Sequence, residues 1–267
     1  MAEAHAVAIG FWRMVIAVPV LVAILLWKRG FREVACLKKR QWGELAVCGF
    51  FLFAHFYTWF ISIQKTSLAH SMILFCTNPV FTALGAWVFF KEKASLRHGL
   101  AMVLCFVGIF FLLSDKAGPG NREGDLWGVA CAILFSAYVL MGRRLRKGMG
   151  NLPFSLATYS FCAAFFAGMM LALGLPFLGY SFKSWIAFCG LAFGSTLLGH
   201  SLFTYSLQFF HVNFLSISTL VEPVFTAASG QIFFGEPVTR MGILGFLFVG
   251  AGIVFLYYPY IRQRLAG

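Results

Sequence analysis

Apolar runs long enough to cross a bilayer follow one another along this chain with only short polar breaks, and that succession leaves few folds open. Nine can be read, at residues 6–27, 42–63, 68–90, 96–114, 126–141, 154–175, 185–207, 212–234 and 241–260. Most approach the ~20 residues that a spanning helix needs, while the fifth is short and draws on its flanks. In hydrocarbon every backbone N–H and C=O must be satisfied within the protein, so only helices and closed barrels span it. The runs lack the alternation of barrel strands. Composition points the same way: 60% of residues are hydrophobic and 11% charged, too few charges to cover a water-facing surface. The expectation is an all-α integral membrane protein with about nine transmembrane helices.

A net charge of +12 would suit nucleic acid, but the basic residues lie in short loops between apolar runs. No aromatic–basic face accompanies them, so the partner is the lipid bilayer and no nucleic acid is expected. With residues 28–41 placed in the cytoplasm, fifteen Lys and Arg fall inside. Five fall outside: Lys65, Lys116, Arg122, Lys183 and Arg240. The positive-inside rule then puts the C-terminus in the cytoplasm and, with nine spans, the N-terminus as it stands outside. The first run is long and contains Arg13, which suits a span better than a signal-peptide core. The seven cysteines form no C-x-x-C pair and read as small packing residues, without disulfide or metal site.

One stretch occurs twice. Residues 64–92 set against 208–236 without gaps give ten identities in 29 positions, including Pro79-Val80-Phe81-Thr82-Ala83 against Pro223-Val224-Phe225-Thr226-Ala227. Asn78 and Glu222 fall at equivalent places. The chain therefore reads as two copies of one membrane unit. The hydrophilic segment 115–125 is the natural seam, giving a first repeat over 1–115, a linker over 116–124 and a second repeat over 125–262. Five runs follow the seam and four precede it. An odd number of spans per copy inserts the two in opposite senses, as two inverted structural repeats. The first copy is then one helix short; truncation, a misplaced start and a real loss all remain open.

Several short motifs in this order carry a resemblance. They are Gly10-Phe11-Trp12-Arg13, His55-Phe56-Tyr57-Thr58-Trp59-Phe60, Gln64-Lys65-Thr66-Ser67, Asn78-Pro79-Val80-Phe81 with Lys91-Glu92, Gly199-His200-Ser201-Leu202-Phe203, Glu222-Pro223-Val224 and Gly235-Glu236. Each is weak alone in an apolar background; order, spacing and duplication make the signal. On them the chain resembles the EamA-type transporters of the drug/metabolite transporter superfamily. The resemblance implies ten helices in two five-helix repeats, both termini cytoplasmic, and movement of small metabolites such as amino acids, related compounds or toxic compounds. The family's first helix is absent here.

Candidate site residues follow from the cost of polar groups at depth. Glu222 lies mid-run, where the charged form of a carboxylate is disfavoured, which makes it a candidate for binding substrate or a proton. Pro223 donates no N–H, so the carbonyl of Thr219 loses its usual helical partner; Pro79 and Pro223 are the expected helix kinks. Arg13 is the one Lys or Arg within the body of a run, Arg97 standing at the very start of the fourth. It could meet a substrate carboxylate, pair with Glu222, or snorkel to the interface. His55 and His200, near equivalent positions of the two copies, could relay protons or bind an anion, or simply be hydrogen-bonded between helices. Asn78 offers hydrogen bonds where the other copy offers Glu222. Tyr57, Trp59, Tyr205 and Phe203 could line a cavity, although most aromatics in such a chain are core or lipid-facing. Glu92 and Glu236 suit the water interface, capping turns or pairing with nearby Lys or Arg. Gly99, Gly108, Gly242, Gly245, Gly250 and Gly252 read as close-packing stripes.

These readings predict a secondary transporter of small metabolites in the cell inner membrane, working by alternating access and coupled to protons. It would be a monomer or weak homodimer, with no cofactor. A G-x-x-x-x-G-K-[ST] motif is absent, so ATP is not expected to drive it directly. The rivals are a non-transporting accessory subunit and a membrane-embedded enzyme; for the latter no His/Asp/Glu cluster or Ser–His pattern is visible.

Overall fold

A computed structural model describes residues 4–114, 121–234 and 239–265. Residues 115–120 of the expected seam, and Gly235, Glu236 and Pro237, lie outside the described residues. Helices account for nearly all the rest, and no strand occurs among the described residues. Eight helices are long and apolar enough to cross a membrane, joined by a shorter apolar helix over Val212–Ala228. The protein is an all-α membrane protein, as the runs predict.

Two differences from the runs have plain causes. The short fifth run is the middle of α7 (Arg122–Arg146). Glu123 and Asp125 occupy its first turn and Arg143, Arg144 and Arg146 its last, the arrangement that suits the helix dipole and extends the helix into polar sequence. Inside the 28–41 loop a five-residue helix, α2 (Phe31–Ala35), forms with no buried residue.

The described chain divides into two compact units, each drawn from both halves of the sequence. The first comprises Met1–Ile61 and Ala137–Phe210. Here α1 (Ala6–Trp27) packs along α8 (Asn151–Ala172). Its buried residues Val7, Met14, Ala17, Leu21 and Leu25 recur at helical spacing. Gly10 permits the approach, since a Cβ there would fall 2.3 Å from the Phe166 ring. The remaining parts are most of α3 (Lys39–Lys65), the end of α7, and a composite helix. That composite begins as α9 (Phe182–Gly190), capped by Ser181, winds through a ten-residue π segment, Leu191–His200, and ends as α10 (Ser201–Ser206). A π stretch of this length is rare, and shorter ones gather at functional sites. Arg146, 3% exposed, closes the unit by donating to the carbonyls of Thr204 (3.2 Å) and Met149, while Arg143 donates to that of Leu207.

The second unit comprises Ser62–Ser136 and His211–Gly267. It holds both copies of the duplicated stretch: α4 (Leu68–Phe75) and α5 (Asn78–Phe90) from the first, α11 (Val212–Ser218) and α12 (Glu222–Phe234) from the second. Its longest seam joins α6 (Leu96–Ser114) to α13 (Arg240–Leu265). Gly108 and Gly245 face one another so closely that a Cβ on either would lie 2.7–2.8 Å from the other's carbonyl oxygen. At Gly252 a Cβ would lie 2.9 Å from that of Ala101. These three are close-packing glycines in the expected sense. Gly99 and Gly250 are not, having nothing within 4 Å of a Cβ. The carboxylate of Glu92 lies 3.4 Å from Nδ1 of His211.

Candidate functional site

Each unit holds a polar cluster on sequence candidates in its apolar interior, and the two differ in charge. In the first unit Arg13 comes from α1, 4% exposed. Its Nε donates to Oγ1 of Thr196 at 3.0 Å and its Nη2 to Oγ of Ser195 at 2.8 Å, both hydroxyls coming from the π segment. The guanidinium lies 4.1 Å from the centroid of the Phe56 ring, a cation–π contact from α3. His200, at the end of the π segment, meets the same Phe56 ring edge-on at 5.2 Å, and buried His55 precedes it on α3 with ring centroids 5.0 Å apart. Behind them, Tyr159 shares a hydrogen bond of 3.1 Å with Ser201, and both hydroxyls reach the carbonyl of Thr196. Three of the sequence candidates, Arg13, His55 and His200, thus gather in one place around Phe56.

In the second unit the cluster is neutral at its centre. Asn78 is fully buried; its Nδ2 donates to the carbonyl of Phe75 (3.0 Å) and to Oγ1 of Thr219 (3.3 Å). Ser136 donates to the backbone carbonyl of Asn78 and receives the hydroxyl of Thr82, each at 3.0 Å. The local sequence explains why a polar knot is needed here. Both copies of the duplicated stretch break just before their proline, and a break frees backbone groups. Pro79 occupies the first turn of α5, following a Cys76–Thr77 turn, so it starts a helix rather than bending one. Pro223 occupies the same place in α12, after a 3₁₀ segment Thr219–Val221. There the carbonyl of Thr219, deprived of its i+4 donor by Pro223, accepts the N–H of Glu222 instead.

Glu222 is thus the first residue of α12. Its side chain is exposed, while Pro223 and Leu220 beside it are buried. Among the described residues no side chain donates a hydrogen bond to it. The aromatic candidates are dispersed: Tyr57 stacks on Phe53 at 5.9 Å and Trp59 is half-buried. Tyr205, 47% exposed, meets Phe209 at 5.1 Å. The side chains of Ser195, Thr196, Tyr159, Thr219 and Ser136 are not among the candidates that the sequence offers. A Ser or Thr in an apolar helix ordinarily satisfies itself on a carbonyl one turn back, so it carries no signal of its own.

The comparisons with known proteins agree with this architecture. The family model described as EamA-like transporter family matches residues 1–114 and again 122–258. The chain is 28% identical over 166 residues to the uncharacterized transporter sll1319 of Synechocystis, a match covering 58% of this chain and 50% of that protein. It is 27% identical over 219 residues to the threonine/homoserine exporter RhtA of Salmonella typhimurium, covering 78% and 70%. A solved crystal structure superposes with a TM-score of 0.81 at 18% identity, covering 99% of this chain and 91% of the other, which establishes the fold. The chain thus spans half the length of one such curated relative and more of the other. With its multiple spanning helices and two family matches in tandem, the protein belongs to the EamA-like transporter family, whose members move small molecules across membranes.

Proposed function

We propose that this protein is a secondary transporter carrying small metabolites, amino acids or related compounds, across the cytoplasmic membrane by alternating access, with a proton on Glu222 as the coupling ion. The observation that carries the reading is the position of Glu222 at a break between α11 and α12. A charged acid placed against lipid at the middle of a span costs about 2.5–3.5 kcal/mol. One held at a helix break, with buried neighbours and no side-chain donor among the described residues, suits contact with water and substrate, since broken helices within membranes line cavities. The two inverted repeats, 1–115 and 125–262, would then rock about a site between equivalent helices. The exporter among the relatives supports amino acids as cargo and efflux as the direction. The loop charges support an inner-membrane location with a cytoplasmic C-terminus.

The test is reconstitution into liposomes loaded with L-threonine or L-homoserine. The expected result is exchange of labelled amino acid and substrate-driven proton movement, the latter lost in Glu222→Gln. Proton flux that survives that substitution would refute the coupling, and the absence of exchange for any metabolite in a broad panel would refute transport.

A further inference from the structure

Among the described residues of the first unit, no carboxylate pairs with the buried charge of Arg13. The described carboxylates of that unit are Glu33, in the 28–41 loop, and Glu44, in the first turns of α3. Glu44 already pairs with Arg40 and Arg144, each at 3.2 Å. Arg13 meanwhile lies about 10 Å into α1, two turns from the helix start. A guanidinium buried without a counter-charge is unfavourable, and such a residue within a membrane marks a place where an anion is received.

The geometry says which part of Arg13 is available. A guanidinium presents two forks of parallel N–H donors, one on its Nε/Nη2 edge and one on its Nη1/Nη2 edge. The hydroxyls of Thr196 and Ser195 occupy the first fork, at 3.0 and 2.8 Å. Phe56 covers one face at 4.1 Å. The second fork has no acceptor among the described residues, and Nη1 is not among the fully buried atoms lacking a partner. The side chain is therefore fixed by one edge and one face, and its free fork is preorganised. Two neutral hydroxyls orient the cation without discharging it.

The geometry points to a carboxylate-binding site on the Nη1/Nη2 fork of Arg13, with Ser195, Thr196 and Phe56 as positioning residues. The occupant is a small molecule bearing a carboxylate, an amino acid or organic acid. This deepens the transporter reading and rests on it for the meaning of the site, though binding can be measured separately. A planar carboxylate matches a single fork with two parallel hydrogen bonds, one to each oxygen, a geometric fit that a spherical anion such as chloride lacks.

The experiment uses the full chain in detergent at constant ionic strength. The melting temperature is followed with the proteinogenic L-amino acids and the monocarboxylates acetate to hexanoate, each compared with its carboxamide. At least one acid should stabilise the protein saturably while its carboxamide does not. Arg13→Gln should abolish the effect, and Arg13→Lys, which keeps charge but not the fork, should weaken apparent affinity about 30-fold or more. Should Arg13→Gln fail to fold, the lysine variant alone decides. Failure of every acid to bind, equal binding of acid and carboxamide, or unchanged affinity in Arg13→Lys would each overturn the site. Counterflow in liposomes separates the two proposals. An acid that binds through Arg13 but never exchanges leaves the site standing and removes transport. An acid that exchanges with unchanged affinity in Arg13→Lys removes the site and leaves transport standing.

Discussion

Asn78 and Thr219, 141 residues apart in sequence, are joined inside the second unit by an Nδ2–H···Oγ1 hydrogen bond of 3.3 Å. Each sits at the interruption of its own copy of the duplicated stretch, so the bond ties one helix break to the other. Interhelical hydrogen bonds in membranes average about 0.6 kcal/mol of coupling. Asn78→Ala should cost about 1–3 kcal/mol, because Phe75 and Thr219 both lose a partner in a dry site. A double-mutant cycle with Thr219→Val, read by reversible unfolding in mixed micelles, should return a coupling of about 0.6 kcal/mol. Strict additivity would show that the bond contributes nothing.

Glu222 separates stability from activity. Its side chain is exposed and accepts no protein hydrogen bond among the described residues, so Glu222→Gln should shift unfolding by no more than about 0.5 kcal/mol. The neutral amide cannot take up a proton, so proton movement should fall to background in the same preparation. A large loss of stability would recast the residue as a structural one.

The glycine seam allows a paired comparison. A methyl at Gly245 would press on the backbone of Gly108 and Leu112 at 2.7 Å, and backbone cannot swing aside. Gly245→Ala should therefore destabilise by about 1–3 kcal/mol. Gly250→Ala, on the same helix and facing open space, should be neutral within about 0.5 kcal/mol. Equal effects would mean that the seam is not what holds α6 to α13.

Arg146 predicts a cost without a catalytic consequence. Removing it leaves the carbonyls of Thr204 and Met149 without their donor, and hydrogen bonds to charged groups contribute about 1.5–3 kcal/mol. Arg146→Ala should lower stability by about that amount, with Arg146→Lys recovering part of it, since an ammonium reaches fewer acceptors than the guanidinium fork. Thermal unfolding of the two variants checks the order.

The spans were legible because backbone satisfaction in lipid forces a length and an apolar composition that sequence displays directly. The two breaks were legible too, because Pro79 and Pro223 remove a donor wherever they stand. Which side of each helix faces inward was not. Gly250 and Gly252 look alike in sequence, and only the neighbouring Ala101 and Cys105 make the second a contact. The π segment was equally hidden: Gly194, Ser195, Thr196 and Gly199 fit an ordinary helix as well, and the winding is decided by what lies beside them. Arg13 could be marked as costly from sequence, but its hydroxyl partners lie about 180 residues away.

The union of α6 with α13 has a consequence for how the protein is made. Ser114 leaves the ribosome long before Arg240, and at 5–20 residues per second the interval is roughly 6–25 s. Throughout that time the glycine-lined side of α6 must be sheltered by the insertion machinery, a chaperone or lipid, and any stall between the two helices leaves a half-built molecule with an adhesive flank.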